Sequence, residues 1–406
     1  MKMELKLTAL KHPIFRSLAS PIYRLSFPPS PFCCSTSPSE PSVQVSESSP
    51  FMEDYFIRSF GWSREKAIHA SKRLLHIKSP KKPDAVLAFL RGIGLSESQL
   101  SVVISRRPII LTAGVESSLL PKVKLFESLG ASGKELADLI ASSASCLSNS
   151  VDRRIVPCVD VLRDLLQDDK KVRLALKRCP WILSSNPDKV LRRNVGFLLQ
   201  KGLEGPSLST LIFKSPNILV MKLEQLSVAC QIVEQFGLAC SSSPEAYANA
   251  LHVVTTVSKE NLSKKLDIFS TYGFEESDKY VLFKSSPAVF RLNEENLKSK
   301  LDFFLSSMDN PRELLLKCPL IMGLSLEERL MPRYSWIQNL RSRGLVSKKI
   351  DYATAFCISE DKFVKRYVHK FKDIDGLDLL VAYKEFRKER SGTLQENPEL
   401  KEAEAV

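Results

Sequence analysis

A short phrase returns along this chain at a nearly fixed period, and it restricts the fold to a stack of like units. An apolar-rich stretch ends in a basic or polar residue, then Pro, then a small apolar run. The copies are Arg106-Arg107-Pro108-Ile109-Ile110-Leu111, Arg178-Cys179-Pro180-Trp181-Ile182-Leu183, Lys214-Ser215-Pro216-Asn217-Ile218-Leu219, Lys284-Ser285-Ser286-Pro287-Ala288-Val289-Phe290 and Lys317-Cys318-Pro319-Leu320-Ile321-Met322. Successive prolines lie 72, 36, 71 and 32 residues apart. The doubled gaps hide degenerate copies, at Ala144, 36 residues after Pro108, and at His252, 36 after Pro216. A second landmark, an apolar segment ending near Gly, keeps the same step: Gly94 to Gly130 is 36 residues, and so is Gly237 to Gly273.

One unit, from about Ser96 to Gly130, shows what each copy builds. Ser96-Glu97-Ser98-Gln99 reads as a helix start, with Ser as the cap and Gln three residues later. Leu100, Val103 and Ile104 then share one face. Pro108 ends that helix, because the residue before Pro is pushed out of the helical region, and Ile109-Ile110-Leu111 buries the corner. Leu119, Leu120, Val123, Leu125, Phe126 and Leu129 predict a second amphipathic helix, stopped at Gly130 in a left-handed conformation. Pro121 fits only in the first turn of that helix, and it recurs as Pro157 and Pro332, each 13 residues after its corner. One such pair cannot cover its own apolar face, so neighbours must stack. The expected fold is all-α: a superhelical solenoid of about eight helix–Pro corner–helix repeats, its handedness unassigned. The corners fall near Lys72, Pro108, Ala144, Pro180, Pro216, His252, Pro287 and Pro319. The strand-like run His252-Val253-Val254-Thr255-Thr256-Val257 is read, from its phase, as a corner followed by a helix.

The expected organisation is a leader over 1–50, the repeat array over 54–345, a helical cap over 346–389 and a disordered acidic tail over 390–406. The leader holds 11 Ser and 8 Pro and is almost without acidic residues before Glu40, which reads as an organelle transit peptide; a disordered cytosolic tail is the other reading. Arg16 and Arg24 lean toward the mitochondrion, while the Ser and Pro content also fits the chloroplast. Nine scattered Cys without a CxxC pair, and five His without ligand spacing, predict no metal site and suit a reducing compartment. No apolar run approaches the roughly 18 residues needed to span a membrane. The net charge is +13, of which the first 50 residues carry only +2, so the basic balance belongs to the folded part and favours a polyanion.

The corner motif, the period of about 36 residues and the closing segment Ser359-Glu360-Asp361-Lys362-Phe363-Val364-Lys365-Arg366-Tyr367-Val368 together resemble the mitochondrial transcription termination factor (mTERF) family, in particular its plant organellar members. The resemblance covers about residues 54–385. It implies an all-α, curved solenoid with a basic concave surface that binds organellar DNA or RNA and acts in transcription termination, transcript processing or intron splicing. Ala144 and His252 depart from the family's corner.

Two sets of cations keep the repeat phase. One lies just before the corner: Arg106, Arg107, Lys177, Arg178, Lys214, Lys284 and Lys317. The other lies 12–14 residues after it: Lys122, Arg192, Arg193, Lys264, Lys265, Lys300 and Arg333. Equal phase in a solenoid means equal face, so each set forms a stripe that can track phosphates. Attraction to helix C-termini already accounts for part of the first set, so the second is the favoured contact set. Trp181, Phe213, Phe236 and Phe269 are assigned to the core, with Tyr334 and Trp336 left open. No phosphate-binding loop or nucleophile elbow appears, and the carboxylate pairs Asp168-Asp169 and Glu327-Glu328 adjoin Lys170-Lys171 and Arg329, so they read as surface charge. The chain is therefore read as a monomeric, non-enzymatic binder of organellar DNA or RNA, with no cofactor, small-molecule substrate or membrane. A protein-interaction scaffold is the alternative.

Overall fold

The computed structural model describes residues 50–346, 350–371 and 383. The expected leader over 1–50 and tail over 390–406 lie outside these residues, apart from Pro50, as does most of the cap beyond 371. Among the described residues every regular element is helical. In chain order the α-helices are α1 (Pro50–Phe60), α2 (Arg64–Ser71), α3 (Lys81–Gly92), α4 (Glu97–Arg106), α5 (Leu120–Ser128), α6 (Gly133–Ser142), α7 (Val156–Leu166), α8 (Asp169–Arg178), α9 (Arg193–Gln200), α10 (Gly205–Lys214), α11 (Leu223–Gln235), α12 (Pro244–Thr256), α13 (Lys259–Thr271), α14 (Glu276–Ser285), α15 (Glu294–Ser307), α16 (Pro311–Lys317), α17 (Met331–Ser342), α18 (Tyr352–Cys357) and α19 (Glu360–Tyr367). They fall into two compact units. Residues 50–234 and 238–256 form the first, and residues 235–237, 257–346, 350–371 and 383 the second.

The corner follows from the chemistry of Pro. In the first unit Arg107 donates the last bond of α4, to Val103 O at 3.0 Å. Pro108 has no N–H to continue the ladder, and its ring forces Arg107 to φ −143°, ψ 72°. The same non-helical conformation precedes Pro180 (φ −137°, ψ 68°) and Pro216 (φ −134°, ψ 66°) in the first unit, and Pro287 (φ −150°, ψ 73°) and Pro319 (φ −139°, ψ 71°) in the second. Each Pro then opens one short 3-10 turn: Pro108–Thr112, Pro180–Ser184, Pro216–Val220, Pro287–Arg291 and Pro319–Gly323. The third residue of the turn faces inward every time, as Ile110, Ile182, Ile218, Val289 and Ile321.

Both degenerate corners test this account. Ala144 keeps the 3-10 turn (Ala144–Ser148), although Ser143 before it stays near helical at φ −92°, ψ 20°. The corner at His252 does not form. With no Pro to interrupt it, α12 runs through His252 to Thr256, and Thr255 and Thr256 spend their hydroxyls on the carbonyls of Leu251 and His252 at 2.8 and 2.7 Å. Val257 and the N-cap Ser258 then lead straight into the next helix, with no 3-10 turn between. At Lys72 the helix ends as expected, in loose turns rather than a 3-10 corner.

In four repeats the second helix begins earlier than expected, and in a different form. A wide π-type turn (Val115–Leu119) precedes α5, closed by Leu119 N donating to Gly114 O at 3.2 Å. Val151–Ile155, Pro187–Arg192 and Leu326–Leu330 do the same before α7, α9 and α17. Pro121, Pro157 and Pro332 sit second in the α-helix that follows, where the missing N–H falls next to the five-residue spacing of the turn. The capping box of Ser96 and Gln99 is present as the sequence predicts, and Gly130 ends α5 at φ 84°.

In the following repeat Gln167 occupies that stop, at φ 52°, and it is the one non-glycine residue with positive φ among those described. A left-handed non-glycine residue is strained by its Cβ. Gln167→Gly should stabilise the protein by about 1 kcal/mol, or raise Tm by roughly 2–3 °C, by differential scanning calorimetry.

Candidate nucleic-acid interface

The cations after the corner share a face, but most of that face is turned inward. Lys122 on α5 is 2% exposed; Lys265 on α13, Lys300 on α15 and Arg333 on α17 are 6%, 3% and 1% exposed. Their charges are spent on backbone carbonyls. In the second unit Lys265 Nζ donates to Phe290 O at 2.7 Å, in the corner of the next repeat, and Lys300 Nζ donates to Met322 O at 2.9 Å, in the corner after that. Arg333 donates to Ala355, Phe356 and Ile358 O at 2.8, 3.2 and 2.7 Å, pairs with Glu360 at 2.8 Å and lies over the Phe363 ring. In the first unit Lys122 Nζ folds back on Ser118, 3.0 Å from its carbonyl and 2.8 Å from its hydroxyl. Burial lowers the pKa of all three lysines. The expectation that these four line a phosphate-tracking stripe is corrected: they are interior donors.

The reason lies in the corner itself. A five-residue 3-10 turn leaves carbonyls at its end without a partner on the same chain segment. Buried, such groups need donors from elsewhere. At three corners the donor stands at one position on the preceding repeat's second helix, as Asn194, Lys265 and Lys300, while Lys122 at the same position turns back on Ser118. In the first unit Asn194, 14 residues after Pro180, sits there fully buried and donates to Ile218, Leu219 and Met221 O at 3.0, 3.2 and 2.8 Å. Cys158 fills the place after Ala144 and points at Ser185 O at 3.6 Å. That Asn and Cys share a phase with Lys and Arg was the available sequence signal: a phosphate contact requires charge, whereas a carbonyl needs only a donor.

The remaining candidates of this set are exposed. Arg192 pairs with Asp188 at 3.2 Å and Lys264 with Glu294 at 3.8 Å, both surface pairs of small net value. Arg193 is exposed at the first residue of α9.

The cations before the corner are the better presented set. In the first unit Arg106, Lys177, Arg178 and Lys214 are exposed and Arg107 half-buried, all at helix C-termini or one residue beyond. Arg178 lies over the Phe213 ring at 4.8 Å and donates to Phe213 O at 2.6 Å; Lys214 donates to Asn249 Oδ1 at 2.8 Å. Each partner is 35 residues further on, so each of these two helix ends lies against the corresponding helix of the next repeat. These partners are neutral and leave the charge uncompensated. In the second unit Lys284 and Lys317 are exposed at the equivalent places.

The aromatics divide differently from expectation. Phe236 and Phe269 are core. Phe213 is half-buried beneath Arg178, and Trp181 is 36% exposed on the residue after Pro180. Trp336 is buried and donates to Tyr367 O at 2.9 Å, and half-buried Tyr334 donates to Ser307 O at 2.6 Å. Among the described residues, no group of three or more His, Cys, Asp or Glu is placed to hold a metal ion, and no helix is long and apolar enough to cross a membrane.

Comparison with known proteins matches the mTERF family model to residues 73–364. The chain is 25% identical over 315 residues to "Transcription termination factor MTERF8, chloroplastic" of Arabidopsis thaliana, which covers 75% of this chain and 60% of that protein. The chain thus spans about three fifths of the length of the relative it matches.

Asn194→Leu keeps the volume and removes three hydrogen bonds to buried carbonyls. It should cost about 2–3 kcal/mol in urea unfolding, whereas the exposed Arg193→Gln should stay within about 0.5 kcal/mol.

Proposed function

We propose, from the premise that this chain belongs to the mTERF family, that it regulates organellar gene expression by binding nucleic acid along the exposed helix ends before its Pro corners. The observation that carries this is the ladder of the first unit, where Arg106, Lys177, Arg178 and Lys214 recur at one phase, exposed, with neutral partners for Arg178 and Lys214. Cations at a repeat spacing match the regular charge of a phosphate backbone, and their affinity comes from counterion release. Lys284 and Lys317 offer the same contact in the second unit, and Arg192, Arg193 and Lys264 are secondary candidates. The mechanism is occupancy of DNA or RNA: the fold binds, and termination, processing or splicing follows from where it sits.

The chloroplast is the favoured organelle, since the Arabidopsis relative is named chloroplastic; the mitochondrial preference drawn from Arg16 and Arg24 has no comparable support. Residues 1–50 would serve as the transit peptide.

The test is a fluorescence-anisotropy titration of single-stranded and duplex oligonucleotides across a range of salt. The combined variant Arg106→Gln, Lys177→Gln, Arg178→Gln and Lys214→Gln should reduce the slope of log K against log salt by about 3. An unchanged slope would overturn this interface. Asn194→Leu, measured where it is still folded, should leave the slope as it is.

A further inference from the structure

Two cysteines of the second unit stand apart from the other thiols among the described residues. Cys146, Cys158, Cys179, Cys230 and Cys240 are buried. Cys318 is half-buried and Cys357 exposed, and their Sγ atoms lie 3.6 Å apart across 39 residues of sequence. Cys318 is the residue held non-helical before Pro319, and Cys357 is the last residue of α18. Both backbones are fixed. Cys318 N donates to Leu314 O at 2.9 Å, and the end of α18 is clamped by Arg329, which donates to Phe356, Cys357 and Ile358 O at 2.9, 3.1 and 2.7 Å.

We propose that Cys318 and Cys357 are a redox modification site, closing into a disulfide that ties the last Pro corner to α18. The sulfurs already touch, and the S–S bond of about 2.05 Å is reached by small rotations of two side chains on positioned backbones. The oxidant is a disulfide of the glutathione class. The more open Cys357 loses its proton, attacks one sulfur of the oxidant and releases one thiol, leaving a mixed disulfide. Cys318 loses its proton, attacks Cys357 Sγ and releases the second thiol. Two electrons and two protons pass from the cysteines to the oxidant, which becomes two thiols. Burial, followed by the facing Cys318 thiol, pushes Cys357 up to about 11, so Cys357 rests protonated near neutrality and reacts faster as pH rises. Closure would staple together an edge already held by Arg329 and Arg333, and would join Lys317, beside Cys318, to the C-terminal helices. The inference stands independently of the nucleic-acid reading.

The experiment treats the full chain with glutathione disulfide at pH 8 and maps peptides without reduction. The expected product is one intramolecular link between the peptides of Cys318 and Cys357, reversed by dithiothreitol, with a Tm several degrees above the reduced form. Cys318→Ser should stop at a glutathione adduct on Cys357, and its Tm should not rise on oxidation. The rate should increase about tenfold per pH unit between pH 7 and 9, following the thiolate fraction. A stable glutathione adduct on Cys357 in the unmutated chain, links to other cysteines in equal yield, or a linked chain with unchanged Tm would each overturn the proposal.

Discussion

A Pro corner that exposes carbonyls to the interior is the constraint on which the rest depends. Proline ends a helix cheaply, by withholding an N–H, but the short turn that follows leaves acceptors pointing into the stack. Orphaned, each would cost about 1–3 kcal/mol. The neighbouring helix supplies the donor, whether the amide of Asn194 or the ammonium of Lys265 or Lys300, and the guanidinium of Arg333 does the same for carbonyls at the end of α18. Stacking of apolar faces gives the energy, and these polar contacts give the register: a repeat slipped by one helical turn would still bury Ile and Leu but would miss the carbonyls.

The division of the basic residues follows. A strongly cationic chain invites the reading that its cations meet an anion, and here much of the repeating charge meets backbone instead. A lysine serves as a long donor when its stem can lie along apolar surface, and the cost of burying its head appears as the lowered pKa of Lys122, Lys265 and Lys300. What is left for solvent is the set at the helix ends, where attraction to the C-terminal carbonyls and attraction to phosphate act on the same side chain without conflict.

The repeat, the corner, the capping box at Ser96 and the left-handed stop at Gly130 were all legible in the sequence, because each is local: Pro, Ser and Gly act on their own backbone. Ala144 was readable for the same reason, from spacing. Three features were not. His252 kept the phase and the helix ran on through it, whereas Ala144, equally without Pro, kept the turn, so the missing Pro alone does not decide the outcome. The π-type turns before Pro121, Pro157 and Pro332 have no residue signature beyond the Pro itself. The direction faced by Lys265, Lys300 and Arg333 is a tertiary property, decided by carbonyls more than 20 residues further along the chain, and Lys122 is buried on the same face while bonding back to Ser118. Phase assigns residues to a common face; it does not say whether that face is wet.

The donor position makes the repeats chemically individual. Asn194 meets three carbonyls with a short neutral amide, whereas Lys265 and Lys300 meet one each at the end of a long chain. A short amide reaches the carbonyls in one repeat, and a long ammonium does so in two others. Units of near-identical backbone are therefore not interchangeable modules. An array rearranged by duplication or deletion of one period would keep its hydrophobic pattern, yet set an amide against carbonyls that an ammonium had met, or the reverse, and this mismatch would restrict how such a chain can grow or shorten.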